Sequence, residues 1–196
     1  MGANLVPPGC CIVMEQCDCS LFERLHRRPE ELSRRDSMRI AIQVAEGMRH
    51  LHTRKPPIVH RDLKSHNVLL DQRGEAKLCD FGLVNTREVT AGTPNYMAPE
   101  LFLSKPNSSA VDVFAFGVLL NEMWAREVPW DGYMPFDIRD KVSRQRGPAR
   151  GGTRRHGPYA LRTYVATLLN LSSCCPLLLP SNLPPSHLPP LALSNR

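Results

Sequence analysis

The chain has 196 residues, 42% of them apolar, which is enough for one buried core with an appendage. Its formal net charge is +6, yet residues 1–143 hold all 19 acidic residues and only 18 of the 25 lysines and arginines. The basic excess therefore lies in residues 144–196, which argues against a nucleic-acid-binding fold, and no nucleic-acid partner is expected.

The first twenty residues read as extended segments joined by a turn. The Pro-Pro-Gly sequence at 7–9 predicts the turn. The apolar run that follows, from residue 11 onward, predicts a short strand that becomes polar by residues 15–17.

Two helices are predicted next. Ser20 and Glu23 have the spacing of a capping box, which predicts a short helix as far as His26. A second start signal at residues 33–36 precedes apolar residues at helical spacing, so we expect a buried amphipathic helix over 34–53. The Lys-Pro-Pro sequence at 55–57 should end it.

The chain then carries its densest group of chemically capable residues. Asp62, Lys64 and Asn67 supply an acid, a base and an amide within six positions. Asp80-Phe81-Gly82 follows thirteen residues after Asn67. Around these motifs we expect strands at 58–59, 68–70 and 76–79, with a turn at 71–74.

Two more segments complete the ordered part. The sequence Gly-Thr-Pro-Asn-Tyr-Met-Ala-Pro-Glu occupies residues 92–100. Residues 112–124 are apolar on nearly all faces of a helix, which predicts a buried helix. A short helix is expected at 136–143.

Residues 144–196 differ from the rest in composition. They contain seven arginines, no acidic residue and eight of the 18 prolines. Such a sequence cannot bury enough apolar surface to offset its chain entropy, so we expect a disordered tail.

The seven cysteines show no paired zinc-binding spacing. Their simplest interpretation is reduced thiols in a cytoplasmic protein. No run of 18 apolar residues occurs, so no membrane span is expected.

The three motifs at 60–67, 80–82 and 92–100, in this order, resemble those of protein kinases. The Lys64-Ser65 pair after Asp62-Leu63 is most similar to the tyrosine-kinase-like group of Ser/Thr kinases. The resemblance covers residues 1–143 and implies ATP-dependent transfer of a phosphoryl group to a protein hydroxyl. It also implies ATP and Mg²⁺ as cofactors and a protein as substrate.

The resemblance implies a role for each residue of the central motifs. Asp62 would accept the proton of the attacking hydroxyl, and Lys64 would stand beside the transferred phosphoryl group. Asn67 and Asp80 would supply oxygen ligands to Mg²⁺. Gly82 would let the backbone turn freely after Asp80.

The same resemblance implies an adenine site. The backbone of Glu15 and Cys17 would hydrogen-bond the adenine, Met14 would gate the rear of the pocket, and Leu69 would lie under the ring. The alternative for residues 11–17 is a plain edge strand.

Residues 80–100 would form the activation segment. Thr86 and Thr90 are candidate phosphorylation sites, and each is otherwise a loop hydroxyl. Thr93 is similar to the threonine that contacts the catalytic Asp and Lys in Ser/Thr kinases.

A further set of motif residues is assigned structural roles. Arg61 would pair with an activation-segment phosphate and Asp112 would bond the backbone of the catalytic loop. The whole set is His60, Arg61, Phe81, Gly82, Glu100 and Asp112.

The predicted fold class is therefore α+β: a mainly helical, kinase-like large lobe at 1–143, with the small lobe almost wholly missing and a disordered tail at 144–196. No counterpart of the family's Gly-rich loop, strand lysine or helix glutamate is found. We expect the isolated chain to transfer phosphate poorly. The alternative functions are a non-catalytic kinase-like binding module or an unproductive fragment.

Overall fold

The computed structural model describes residues 2–4, 6–84, 92–103 and 108–143. Strands and helices both occur within these residues, so the predicted mixture is confirmed. In chain order the elements are β1 (Gly2–Asn4), β2 (Cys11–Val13), β3 (Cys19–Ser20), α1 (Leu21–His26), α2 (Arg34–His52), β4 (Val68–Leu70), β5 (Ala76–Leu78), α3 (Pro99–Phe102), α4 (Ala110–Ala125) and α5 (Pro135–Ser143). Two 3-10 helices lie at Ser65–Asn67 and Pro94–Tyr96.

The strands form two small antiparallel sheets. In the first, β1 pairs with β2, and Ala3 lies opposite Ile12. In the second, β4 is the central strand: its Leu70 lies opposite Cys19 of β3 on one side and opposite Ala76 of β5 on the other. This second sheet carries the catalytic loop, which we define as residues 60–67, at the start of β4.

Both predicted helix starts are confirmed by their caps. The Ser20 hydroxyl accepts from the Glu23 backbone N–H at 3.1 Å, and the Glu23 carboxylate accepts from the Ser20 N–H at 2.9 Å, which completes a capping box. Ser33 caps α2 in the same way through the N–H of Asp36. Because these caps satisfy backbone donors at the first turn, each helix begins one residue after its serine.

The core lies where α2 and α4 pack together beneath the second sheet. α2 buries one face, as its periodicity predicts, whereas α4 is buried along most of its length. The residues of the main core cluster are Leu21, Leu25, Ile40, Ala41, Val44, Met48, Leu63, Val68, Leu70, Tyr96, Ala115, Phe116, Val118, Leu119, Leu120 and Met123. Because α4 is closely packed in the core, it supports the catalytic loop rigidly.

One predicted strand is wrong. Residues 58–59 form no strand, because the Ile58 N–H donates to the carbonyl of Leu51 at the end of α2 instead of to a neighbouring strand. The predicted disordered tail at 144–196 lies outside the described residues, and so does the division at residue 143. None of the described helices is long and apolar enough to cross a membrane.

Candidate active site

Asp62 is the centre of a cluster of side chains, here called the Asp62 cluster, made of Asp62, Lys64, Asn67 and Thr93. One carboxylate oxygen accepts from the Thr93 backbone N–H at 2.9 Å and from its hydroxyl at 2.8 Å. The other accepts from Lys64 Nζ at 2.6 Å and from the Asn67 amide at 3.1 Å. Lys64 Nζ also donates to the Thr93 hydroxyl at 2.8 Å, which closes a ring of three residues. Both oxygens are thus held in a fixed direction.

Asp112 holds the catalytic loop from below. This fully buried carboxylate of α4 accepts from the backbone N–H groups of His60 and Arg61, both at 2.8 Å, and contacts His52 Nε2 at 2.7 Å. Arg61 has a φ of 70°, a left-handed conformation that is uncommon for a residue with a side chain. The two backbone bonds hold the catalytic loop in that conformation.

His60 connects the catalytic loop to the Asp80 segment. Its ring is fully buried, and its Nε2 lies 3.0 Å from the carbonyl of Cys79. A carbonyl can only accept, so Nε2 carries the proton and Nδ1 is free to accept from the Asp62 N–H at 3.4 Å. The Cys79 N–H in turn donates to the Asn67 carbonyl at 3.0 Å. Asp80, the next residue, therefore leaves β5 beside Asn67.

The turn after β5 differs from expectation in one respect. Asp80 itself takes the left-handed conformation, with a φ of 62°, and Gly82 does not. A Cβ at residue 82 would lie 3.2 Å from the Asp80 carboxylate, a tight approach that a small shift of this exposed side chain would relieve. The Gly82 N–H donates to that carboxylate at 3.3 Å. Asp80 and Phe81 are exposed, and the Phe81 ring lies 5.2 Å from that of His60.

Three of the residues predicted to bind adenine, Met14, Glu15 and Cys17, lie between β2 and β3 in the chain, and the fourth, Leu69, lies in β4. Met14 follows β2, and 69% of its side chain is exposed. The Glu15 carboxylate pairs with Lys77 Nζ at 2.8 Å, and Lys77 lies opposite Leu69 in the second sheet. Cys17 and Leu69 are both half-buried. The structure therefore brings the segment at 15–17 to the edge of the sheet that carries Leu69.

A comparison with family models matches residues 6–153 to the protein kinase domain. This match covers well over half of the chain and contains the Asp62 cluster, Asp80 and Asp112. The chain belongs to the protein kinase family. The predicted resemblance is thereby confirmed.

The curated relatives of this kinase sequence are named as Ser/Thr kinases. It is 42% identical over 148 residues to serine/threonine-protein kinase CTR1 of Arabidopsis thaliana, covering 70% of the chain and 18% of the relative. It is 39% identical over 153 residues to the probable serine/threonine-protein kinase SIS8 of the same plant, covering 74% and 15%. With the probable serine/threonine-protein kinase drkA of Dictyostelium discoideum the identity is 36% over 151 residues, covering 74% and 24%. The chain thus spans less than a quarter of each of these relatives.

Kinases generally use ATP and Mg²⁺, and Asn67 and Asp80 are the residues that the sequence predicts as Mg²⁺ ligands. The Asn67 amide nitrogen donates to Asp62, which leaves its amide oxygen on the opposite side. Asp80 offers an exposed carboxylate, and Cys79, the residue before it, donates its N–H to the Asn67 carbonyl at 3.0 Å. No group of three or more His, Cys, Asp or Glu side chains that could hold a metal exists among the described residues. Two oxygen ligands, completed by phosphate and water, suit Mg²⁺.

The activation segment is described only in part. Thr93 lies in the Asp62 cluster, whereas Thr86 and Thr90 lie outside the described residues. Glu100 is half-buried in the first turn of α3, where a carboxylate is favoured by the helix dipole. Arg61 donates to the carbonyl of Leu83 at 3.4 Å, so its side chain does face this segment.

Sequence reasoning missed the polar residues buried behind the catalytic loop. Glu122 is fully buried and bonds Ser65, Tyr96 and His26. A second charged residue, besides Asp112, in a helix that is mostly apolar was the signal that could have found it. His52, the partner of Asp112, carried no signal, since a histidine near a helix end is usually a favourable terminal charge.

Proposed function

We propose that this chain carries the catalytic residues of an ATP-dependent protein kinase that phosphorylates serine or threonine. The reaction would transfer the γ-phosphate of ATP to a protein hydroxyl. The observation that carries the proposal is the closed ring of Asp62, Lys64 and Thr93. Phosphoryl transfer depends mainly on positioning and charge neutralisation, and this ring supplies both at one point.

Each member of the Asp62 cluster has a distinct proposed task. Asp62 accepts the proton of the attacking hydroxyl, and its two oriented oxygens aim that hydroxyl. Lys64 places an ammonium group beside the transferred phosphoryl group. Thr93 fixes the activation segment against Asp62 through two hydrogen bonds, which makes the substrate-binding side of the site depend on the same carboxylate.

We assign nucleotide and metal binding to the other predicted residues. Asn67 and Asp80 would hold Mg²⁺, which when bound neutralises the charge that develops on the phosphates. The backbone of Glu15 and Cys17 would hydrogen-bond adenine. Met14 would border the rear of the pocket and Leu69 the face of the ring.

The lobe assignment, two phosphorylation sites and a cellular location complete the proposal. Residues 1–143 would correspond to the large lobe of a kinase, because the catalytic loop rests on a buried central helix. Thr86 and Thr90 are proposed phosphorylation sites that Arg61 would face. A cytoplasmic location is proposed from the cysteine spacing.

The test is phosphate transfer from labelled ATP to peptides that contain serine, threonine or tyrosine. It should be run on the 196-residue chain and on a version in which a relative's small lobe precedes residue 1. We expect the longer version to label serine or threonine peptides and the shorter one to be far weaker. Labelling of tyrosine peptides alone would reverse the assignment.

The matched control is Asp62→Asn in both versions. If the parent and the variant bind ATP equally and neither transfers phosphate, the alternative of a non-catalytic binding module is correct. If the parent transfers phosphate and the variant does not, the reaction runs through Asp62.

A further inference from the structure

A basic and aromatic patch lies on the surface next to the Asp62 cluster, and phosphoryl transfer itself does not use it. It begins in the 3-10 turn Ser65–Asn67, where about three residues per turn send successive side chains in different directions. Ser65 is fully buried and Asn67 bonds Asp62, whereas His66 between them is exposed. The His66 ring therefore stands at the surface two residues after Lys64.

Helix α1 packs against that ring. The Phe22 ring stacks on His66, with centroids 3.9 Å apart and an interplanar angle of 22°. The same Phe22 ring contacts His26 at 4.8 Å, and the Arg27 guanidinium lies 5.8 Å from its centroid. Phe22 thus gathers two imidazoles and one guanidinium from two segments of the chain. We call His66, Phe22 and Arg27 the His66 patch.

The charges around the patch are mainly positive. Partial burial lowers the pKa of His66, and the charge of Lys64 is the next cause. Arg27 and His26 act in the same direction, whereas Glu122 acts against them. A neutral imidazole keeps one N–H donor. At neutral pH the patch therefore offers a charge from Arg27 and a hydrogen-bond donor from His66.

The two carboxylates near the patch are already engaged. Glu122 is fully buried and bonds three side chains of the core. Glu23 accepts from the backbone N–H and the hydroxyl of Ser20, and it lies 3.9 Å from Arg27. The Arg27 side chain stays 70% exposed. Because a long ion pair at the surface contributes little, the guanidinium can bind a further anion.

The dipole of α1 explains part of this arrangement. His26 lies in the last turn of α1 and Arg27 is its C-cap, where basic side chains are favoured. The dipole does not explain His66, which comes from the catalytic loop. The core does not require His66 either, because its side chain is exposed. A basic surface that joins both segments beside the reacting groups fits an anion that the substrate brings.

We propose that the His66 patch binds an anionic side chain of the protein substrate, a carboxylate or a phosphate monoester, near the acceptor hydroxyl. The inference rests on the proposed kinase function, because the acceptor hydroxyl must lie at Asp62. Arg27 binds the anion with the planar fork that guanidinium groups present to carboxylates and phosphates, and His66 donates an N–H. An extended chain advances roughly 3.3 Å per residue, so the anionic residue lies within about four residues of the acceptor.

The test is a positional scan with peptides that carry one serine acceptor among alanines. A single aspartate, phosphoserine, asparagine or arginine is placed at each of the four positions on either side. With the version that carries a small lobe, kcat/KM at one position should exceed that of the asparagine peptide roughly 2- to 5-fold for aspartate. Phosphoserine should give roughly tenfold or more, because its charge is larger and its contact bidentate. A preference for phosphoserine alone would identify the ligand as phosphate.

Substitutions at the end of α1 test whether the patch is the cause. Arg27→Gln should abolish the preference, and Arg27→Glu should turn it into a preference for the arginine peptide. Arg28→Gln is the matched control, since Arg28 is the next residue but pairs with Asp18 at 2.7 Å, and it should keep the parent's ratio. His66→Phe keeps a ring against Phe22 and removes the nitrogens, so it should lower the ratio.

A binding measurement tests the patch without using activity. A phosphoserine peptide with alanine at the acceptor position is titrated into the 196-residue chain, and the imidazole signals of His66 are followed by NMR. They should shift in the parent and in Arg28→Gln and stay in place in Arg27→Gln. A parent that phosphorylates no peptide would refute the proposed function, and this titration would still decide whether the patch binds anions.

Three results would overturn the proposal. The first is an active parent without preference for either anionic peptide, and the second is a preference that Arg27→Gln retains. The third is the absence of any shift of the His66 signals in the parent. If Arg27→Gln raised KM for ATP and left the peptide ratio unchanged, the patch would serve the nucleotide instead, which also overturns it.

Discussion

The catalytic loop and the segment that leads from β2 into residues 15–17 differ in how the rest of the protein stabilises them. The loop rests on two fully buried carboxylates, Asp112 and Glu122, and each side of Asp62 is hydrogen-bonded. By contrast, the side chains of Ile12, Val13 and Met14 are 61–69% exposed. The residues proposed for phosphoryl transfer are thus positioned by the core, whereas the proposed adenine site depends mainly on backbone groups and on contacts with the β4–β5 sheet.

The largest effect is expected at Asp62. Asp62→Asn removes the proton acceptor and keeps the shape, so turnover should fall about 10²- to 10⁴-fold, the usual value of a positioned general base. ATP affinity should be nearly unchanged, because the adenine residues lie elsewhere. Steady-state kinetics and nucleotide titration on the version with a small lobe would measure both. An unchanged turnover number would show that Asp62 is not the proton acceptor. The contrast between the catalytic loop and the exposed segment would then have no consequence for catalysis.

The next effect is on folding, at Asp112. Asp112→Ala leaves the buried N–H groups of His60 and Arg61 without an acceptor. Because each buried donor left unpaired costs roughly 1–3 kcal/mol, the free energy of unfolding should drop by about 2–5 kcal/mol. Urea denaturation would measure the change.

Asp131→Ala is the control for removing a carboxylate from the surface, since Asp131 is exposed. It should leave the urea midpoint nearly unchanged. Equal midpoints for the Asp112 and Asp131 variants would mean that the loop does not depend on the core as the hydrogen bonds indicate.

The helices α1 and α2 could be predicted from the sequence, because interactions between residues close together in the chain determine where they begin and which face they bury. The caps at Ser20 and Ser33 and the apolar stripe of α2 fix those helices with little help from the rest of the chain. The left-handed Asp80 could not be predicted, because its conformation depends on contacts between segments far apart in sequence. The error at residues 58–59 has the same origin: the Ile58 N–H donates to the carbonyl of Leu51 at the end of α2, a contact that no local pattern reveals.

The site shows the same division between motif and context. All members of the Asp62 cluster belong to motifs that the sequence reveals. The structure brings these residues, Asp62, Lys64, Asn67 and Thr93, together. The hydrogen bonds of Glu122 were missed, since Ser65, Tyr96 and His26 are ordinary residues until the fold places them around one carboxylate. Buried polar groups are identified by their partners, and partners are a property of the tertiary structure.

A smaller effect is expected at Asp80, the exposed member of the proposed metal site. Asp80→Asn keeps an oxygen but removes the charge that favours Mg²⁺. The Mg²⁺ concentration for half-maximal activity should rise roughly tenfold or more, since even residues behind a metal ligand alter affinity 10- to 100-fold. Asp71→Asn is the control: among the residues that the structure describes, the Asp71 side chain bonds turn backbone groups and Lys77. An equal change in both variants would place the metal elsewhere.

The smallest effect is expected at Met14, and a second methionine gives the matched comparison. Met14 is 69% exposed after β2, whereas Met48 is 4% exposed in the core face of α2. Met48→Ala creates a cavity and should lower the free energy of unfolding by about 2–5 kcal/mol. Met14→Ala removes little buried area, so its effect on stability should stay within about 0.5 kcal/mol. Both are read from urea denaturation of the 196-residue chain. If Met14→Ala destabilised the chain as much as Met48→Ala, residues 11–14 would have to pack against another surface in solution, and the contrast between a core-held loop and an exposed strand would no longer hold.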